Sequence, residues 1–112
     1  MSLILKNLDN KSFILCLNKL FIRNGTYPLQ KIKLYNKLYF EKDDIIGKCI
    51  YYDNSVQDII TPVNITPIKH NFEFLDYPTK YISNKDYDTW LLESNKNILY
   101  NGLYYENVTI NI

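Results

Sequence analysis

The side chains that could carry out covalent chemistry are few, because the sequence has one histidine, His70, and two cysteines, Cys16 and Cys49. A Ser-His-Asp or Cys-His site needs its base within hydrogen-bond reach of the nucleophile. The sequence contains neither the GxSxG signature of such sites nor a cysteine flanked by glycines. His70 stands between Lys69 and Asn71 and is predicted to be an exposed loop residue. The sequence therefore predicts no catalytic residue.

Metal and phosphate sites have equally little support. Two cysteines and one histidine are one ligand short of a closed structural zinc site, and three isolated glycines cannot form a phosphate-binding loop. The pairs Asp43-Asp44 and Asp53/Asp58 have the chemistry of a Mg²⁺ or acid–base site, although such residues are more often solvated turn positions. We expect no enzymatic activity, no metal and no cofactor. The two cysteines are predicted to be buried free thiols, with a disulfide as the alternative.

Length and composition favour one globular domain, residues 1–112, that lies in the cytoplasm. Of the 112 residues 46% are hydrophobic and 22% charged, which is too apolar for a disordered chain. The apolar stretch within residues 1–6 is too short for the core of a signal peptide. No apolar run is long enough to span a bilayer, so no membrane partner is expected. Alanine is absent and arginine occurs once, whereas Asn, Ile, Lys and Tyr are abundant. This amino-acid bias predicts an A/T-rich genome, which fits a virus, a phage, a low-GC bacterium or a protozoan. We expect a phage, a virus or another mobile element as the source, and the cytoplasm would then be that of the host cell.

The elements that must position any site are predicted to form an α+β fold, mainly an antiparallel sheet of short strands. An amphipathic helix is predicted over about 10–23, since apolar residues recur there with the spacing of one buried helix face. Leu15 and Ile22 interrupt its polar face, so a strand is the alternative. A short helix is predicted over about 84–94, where Asp86 follows Ser83 as in a capping box.

Alternating or β-branched runs predict strands at 30–35, 38–41, 45–52, 72–75 and 79–82. Two prolines bracket the segment 61–67, which is predicted to be an edge strand or a surface crossing because proline cannot donate to a ladder. Asn101-Gly102 joins two apolar runs and predicts a C-terminal hairpin over 98–105, because Asn-Gly suits both positions of a tight hairpin turn.

The segment 34–45 is echoed at 99–110, with seven identities in twelve positions. The echo is either a duplicated hairpin or a coincidence in a chain rich in Leu, Tyr and Asn. A duplication would make Asn36-Lys37 a hairpin turn with Lys37 in a strained conformation.

Charge is segregated along the sequence. Residues 1–37 contain seven basic residues and one acidic residue, a net charge of +6, and the remaining chain has a net charge of −5. If the asymmetry survives folding, the basic part offers a surface for phosphates or for an acidic partner. The candidate basic patch consists of Lys11, Lys19, Arg23, Lys31 and Lys33.

Tyrosine is the second unusual feature, with eleven residues. Neighbours in a strand face opposite sides, so one member of Tyr51-Tyr52 and one of Tyr104-Tyr105 should point away from the core. Exposed tyrosines are enriched at protein interfaces. The candidate partner-binding residues are Tyr35, Tyr39, Tyr100, Tyr104 and Tyr105.

Together these patterns predict a small non-enzymatic protein that acts by protein–protein contact, for example as an inhibitor of a host protein. Two alternatives remain open. One is a nucleic-acid-binding protein that uses its basic N-terminal third, and the other is a subunit of a virion or other assembly that packs against copies of itself.

Overall fold

Strands dominate the computed structural model, which describes residues 2–9, 11–18, 28–81, 89–96 and 108–111. In chain order the elements are β1 (Ser2–Asn7), β2 (Ser12–Leu17), β3 (Leu29–Leu34), β4 (Ile45–Tyr51), β5 (Val56–Ile60), β6 (Thr66–His70), α1 (Phe72–Asp76), α2 (Pro78–Tyr81), β7 (Trp90–Asn95) and β8 (Val108–Asn111). They form a five-stranded sheet in the order β6-β7-β2-β1-β8 and a three-stranded sheet in the order β3-β4-β5. All pairings between the described strands are antiparallel, in agreement with the prediction of a mainly antiparallel sheet.

One hydrophobic core joins the two sheets and α1. Leu3, Leu5 and Leu15 come from the five-stranded sheet, and Ile32 and Cys49 from the three-stranded sheet. Phe74 and Leu75 anchor α1 in the same core. The prediction of an α+β fold with mainly antiparallel strands is confirmed.

The predicted N-terminal helix is wrong, because Ser12–Leu17 is a central strand of the larger sheet. It pairs with β1 on one side and β7 on the other, and all six of its side chains are buried. Burial on both faces of a sheet requires a continuous apolar run, and such a run also satisfies the helical spacing. Residues 19–23 of the predicted helix lie outside the described residues.

The predicted helix at 84–94 is also wrong where it can be compared. Residues 84–88 lie outside the described residues, but Trp90–Asn95 is strand β7, which pairs with both β2 and β6. The Thr89 hydroxyl donates a hydrogen bond to the carbonyl oxygen of Leu17 at 2.9 Å and fixes the start of this strand. The Asn-Gly hairpin at 98–105 falls outside the described residues and stays a prediction.

The predicted strands agree with the structure in the smaller sheet and differ around the prolines. The strands at 30–35 and 45–52 are confirmed as β3 and β4. The segments 72–75 and 79–81 are instead helical, and 38–41 contributes only the isolated bridge between Phe40 and Ile65. Residues 61–65 are buried and do not cross the surface, whereas Thr66 and Pro67 begin β6, an edge strand among the described strands. The buried side chains of Thr61 and Asn64 form hydrogen bonds with backbone groups.

Candidate functional site

An open groove of about 480 Å³ lies where the β3–β4 connection meets strand β6 and helix α1. Three of the side chains that line it are apolar and exposed: Leu38 is 88% exposed, Phe72 64% and Ile68 50%. The other lining residues are Asn36, Lys37, Pro67, Lys69 and His70. Exposed apolar side chains gathered around one concavity are typical of a contact surface.

The loop that carries Leu38 is fixed at both ends. The amide of Tyr35 donates to the carbonyl of Ile46 at 2.9 Å, and Phe40 and Ile65 exchange backbone hydrogen bonds of 3.0 and 2.9 Å. The Phe40 ring is buried, and the Lys37 ammonium lies 5.1 Å from its centroid, within the range of a cation–π contact. Leu38 is therefore held out towards water by a loop with anchored ends.

Ile68 reaches the groove through an irregularity in strand β6. Pro67 pairs with Ser94, and Lys69 pairs with the adjacent Glu93, so Ile68 is the extra residue of a bulge. A bulge bends its strand and changes the direction of a side chain. Strand β6 is also an edge of the sheet among the described strands, which is where proline is tolerated.

Phe72 is placed by the start of α1. The Asn71 side-chain amide donates to the carbonyl of Trp90 at 3.1 Å, and Phe74 and Leu75 bury the other side of the helix. The rings of His70 and Phe72 lie 5.6 Å apart at a tilt of 56°. The aromatic side of the groove thus rests on strand β7 and on the core.

The charge of the groove is positive. The described residues of its lining include two lysines and a histidine and no acidic residue. Burial lowers the pKa of His70 from its usual 6.5, so its imidazole is neutral at pH 7 and the charge comes from Lys37 and Lys69. The Lys69 ammonium also lies 5.9 Å from the centroid of the Trp90 ring.

The predicted tyrosine surface is present only in part. Tyr35 and Tyr39 are exposed and belong to the same loop as Leu38, but neither lines the groove. Tyr51 is buried and Tyr52 exposed, which confirms the alternation predicted for that pair. Tyr100, Tyr104 and Tyr105 lie outside the described residues.

The predicted basic patch is also divided. Lys31 and Lys33 are exposed on β3, whereas Lys11 lies in the β1–β2 turn of the other sheet. Lys19 and Arg23 fall outside the described residues. The sequence pattern missed Lys48, which pairs directly with Lys33 across β3 and β4, because it lies in the part of the chain whose net charge is negative.

The residues considered for covalent chemistry do not converge. Both cysteines are free and buried, as predicted, and burial raises the pKa of the Cys49 thiol to about 12. Asp44 and Asp53 accept hydrogen bonds from backbone amides in their own turns, at 2.9 and 3.0 Å. His70 is half-buried at the end of β6 and not in an exposed loop. Within the described ranges, no three His, Cys, Asp or Glu side chains come close enough together to hold a metal ion.

The first copy of the echoed segment is not a hairpin. Strand β3 ends at Leu34 and β4 begins at Ile45, so Asn36 and Lys37 lie in a long connection. In the described part of the chain, only Asp43 and Asn54 among non-glycine residues have positive φ. The prediction that Lys37 has a strained backbone conformation is therefore wrong. Most of the second copy of the echoed segment lies outside the described residues.

In the part of the chain that the structure describes, neither α1 nor α2 is long and apolar enough to cross a bilayer. A scan of the sequence against protein-family models and a search of the curated proteins each find no match.

Proposed function

We propose that this chain is a protein-binding module that holds an extended acidic segment of its partner in the groove around Leu38, Ile68 and Phe72. The observation that carries the proposal is the exposure of these three side chains around one concavity. Leaving large apolar side chains in water forgoes about 1.5–3 kcal/mol each relative to burial. Contact with a partner would recover part of that free energy.

Charge complementarity supports the nature of the occupant. Lys37 and Lys69 line the groove, and no acidic residue is among the described residues of its lining, so carboxylates on the bound segment would meet two ammonium groups. Glu93 pairs with Lys69 across β6 and β7 and offsets part of this charge. Opposite potentials across an interface speed association and exclude partners of the wrong charge. The bound segment should therefore combine Asp or Glu with aliphatic or aromatic side chains.

The shape of the groove supports a peptide rather than a small molecule. It is open to solvent and is formed by a loop, a strand at the edge of the described sheet and the first turn of a helix. Small-molecule sites usually bury most of their ligand, whereas an open groove beside a strand edge suits an extended chain.

A selection with a phage-displayed library of random peptides tests the proposal. The wild-type protein is expected to enrich peptides that combine acidic and large apolar residues. Phe72→Ser and Leu38→Ser should each weaken the binding of these peptides by at least about tenfold, as truncation of a central interface residue does.

Two matched controls come from the same chain. Tyr77 is 67% exposed, close to Phe72, and Leu8 is 50% exposed, and neither lines the groove. Tyr77→Ser and Leu8→Ser should therefore bind the enriched peptides as the wild type does. Enrichment of peptides without acidic residues, no enrichment, or equal affinity for Phe72→Ser and the wild type would each contradict the proposal.

A further inference from the structure

The outward face of the three-stranded sheet brings three lysines together. In the register of β3 and β4, Lys31 lies opposite Ile50 and Lys33 opposite Lys48. Two like charges directly opposite each other destabilise a sheet. We call the surface formed by Lys31, Lys33, Lys48, Ile50, Tyr35 and Tyr52 the lysine face.

The structure offers these lysines little internal neutralisation. Asp58, opposite Lys48 on β5, is the acidic residue of the described strands that faces them. In the described parts of the chain, no carboxylate lies within 4 Å of the ammonium groups of Lys31, Lys33 or Lys48. The face therefore keeps a net positive charge, and an anionic partner would relieve the repulsion between Lys33 and Lys48.

Two exposed tyrosines flank the lysine pairs along the chain. Tyr35 follows the last residue of β3 and Tyr52 follows the last residue of β4, and their side chains are 37% and 58% exposed. Because β3 and β4 are antiparallel, the two tyrosines lie at opposite ends of the lysine pairs. The amide of Tyr52 donates to the carbonyl of Pro28 at 3.0 Å, so its backbone is tied to the sheet.

We propose that the lysine face binds a single strand of nucleic acid, with phosphates at Lys31, Lys33 and Lys48 and bases stacked on Tyr35 and Tyr52. Basic side chains along a β surface with aromatic rings at its ends are the usual means of holding unpaired nucleotides. Lysine meets phosphates as a point charge and does not read base edges, so binding is expected to depend little on sequence. A duplex keeps its bases stacked and offers the tyrosines no base plane.

Fluorescence anisotropy with labelled oligonucleotides of about ten nucleotides tests this proposal. Single-stranded DNA, single-stranded RNA and a duplex of equal length are compared over a range of about 50 to 200 mM salt. Either single strand should bind more tightly than the duplex. Each of Lys31→Ala and Lys48→Ala should make the slope of log affinity against log salt shallower by about 0.7.

The Tyr52 variants separate the contribution of base stacking to binding from the contribution of charge. Tyr52→Leu should weaken binding at least about fivefold, whereas Tyr52→Phe keeps the ring and should bind as the wild type does. Lys11→Ala removes an exposed lysine of the other sheet and should leave the salt slope unchanged. Preference for the duplex, absence of binding at the lowest salt, or equal losses for Lys11→Ala and Lys31→Ala would each overturn the proposal. Because no variant here changes a residue that lines the groove, failure of this proposal leaves the groove proposal standing.

Discussion

Leu38 and Phe72 line the same groove, although one belongs to the connection between β3 and β4 and the other begins helix α1. Each leaves most of its side chain in water, while Phe40 and Phe74, two residues further along the chain, are buried in the core. Outward and inward aromatic or aliphatic residues thus alternate on the two sides of the groove. The inward residues fix the position of the outward ones.

This division of roles predicts opposite effects of truncation on stability. Phe72→Ser and Leu38→Ser should change the free energy of unfolding by less than about 0.5 kcal/mol, because exposed substitutions rarely cost more. Phe40→Ala should cost about 3–5 kcal/mol, because it removes a buried ring from the core. Urea unfolding measures all three, and a large loss for Phe72→Ser would mean that the exposed ring serves the fold.

Gly47 permits the close approach of β3 to β4. A methyl group at this position would collide with the carbonyl oxygen of Lys33 and stand 2.8 Å from a methyl carbon of Leu34. Gly47→Ala should therefore lower the free energy of unfolding by about 1–3 kcal/mol. Lys48→Ala is the matched control and should not lower the free energy of unfolding, because it removes a lysine that lies opposite Lys33 on the outward face. Equal stability of the two variants would show that the two strands can separate without cost.

The buried Tyr51 hydroxyl donates a hydrogen bond to the side-chain oxygen of Gln57 on β5. Tyr51→Phe removes this donor and should cost about 0.5–1.5 kcal/mol of unfolding free energy. Tyr52→Phe removes an exposed hydroxyl next to it and is expected to unfold at the wild-type urea concentration. A larger loss for Tyr52→Phe than for Tyr51→Phe would contradict the placement of the pair.

The turn between β1 and β2 predicts a dependence of stability on pH. The amides of Lys11 and Ser12 donate to the Asp9 carboxylate at 2.7 and 2.9 Å, and these hydrogen bonds lower the pKa of Asp9 below its usual 3.8. The carboxylate therefore stabilises the fold above about pH 4, and this contribution is lost as the pH falls through the lowered pKa. Asp9→Asn does not titrate at this position. Its free energy of unfolding should therefore be lower than that of the wild type at about pH 7 and approach the wild-type value at low pH. A difference that stays constant in urea unfolding across this range would show that the charge of Asp9 has no part in the turn.

The sequence predicts the class of the fold correctly, but it does not predict the strands of the N-terminal part of the chain. The alternation of Ile32 with the lysines of β3 identifies a strand with one buried face, and the structure agrees. The run Phe13–Leu17 fits a buried strand and a helix equally well. What decides between them is pairing with β1 and β7, and β7 is distant in sequence. Strand β1 went unrecognised although Leu3 and Leu5 alternate with less buried neighbours.

The groove could not be found from local patterns. The sequence predicts strands at Leu38 and Phe72, because short apolar runs resemble strands when their neighbours in space are unknown. The bulge at Ile68 depends on the register of β6 against β7, and no residue type in this segment predicts it. The tyrosine pattern indicates the exposed loop through Tyr35 and Tyr39, but it does not indicate the side chains that line the groove.

Mapping by NMR tests the central claim most directly. Amide shifts of the labelled protein are followed while a synthetic copy of the most enriched library peptide is added. We expect the changes to concentrate at residues 36–38 and 67–72, and to disappear in Phe72→Ser while Tyr77→Ser keeps them. Changes centred on the lysine face or on the β1–β2 turn, with residues 67–72 unaffected, would contradict the claim that the groove is where this chain meets its partner.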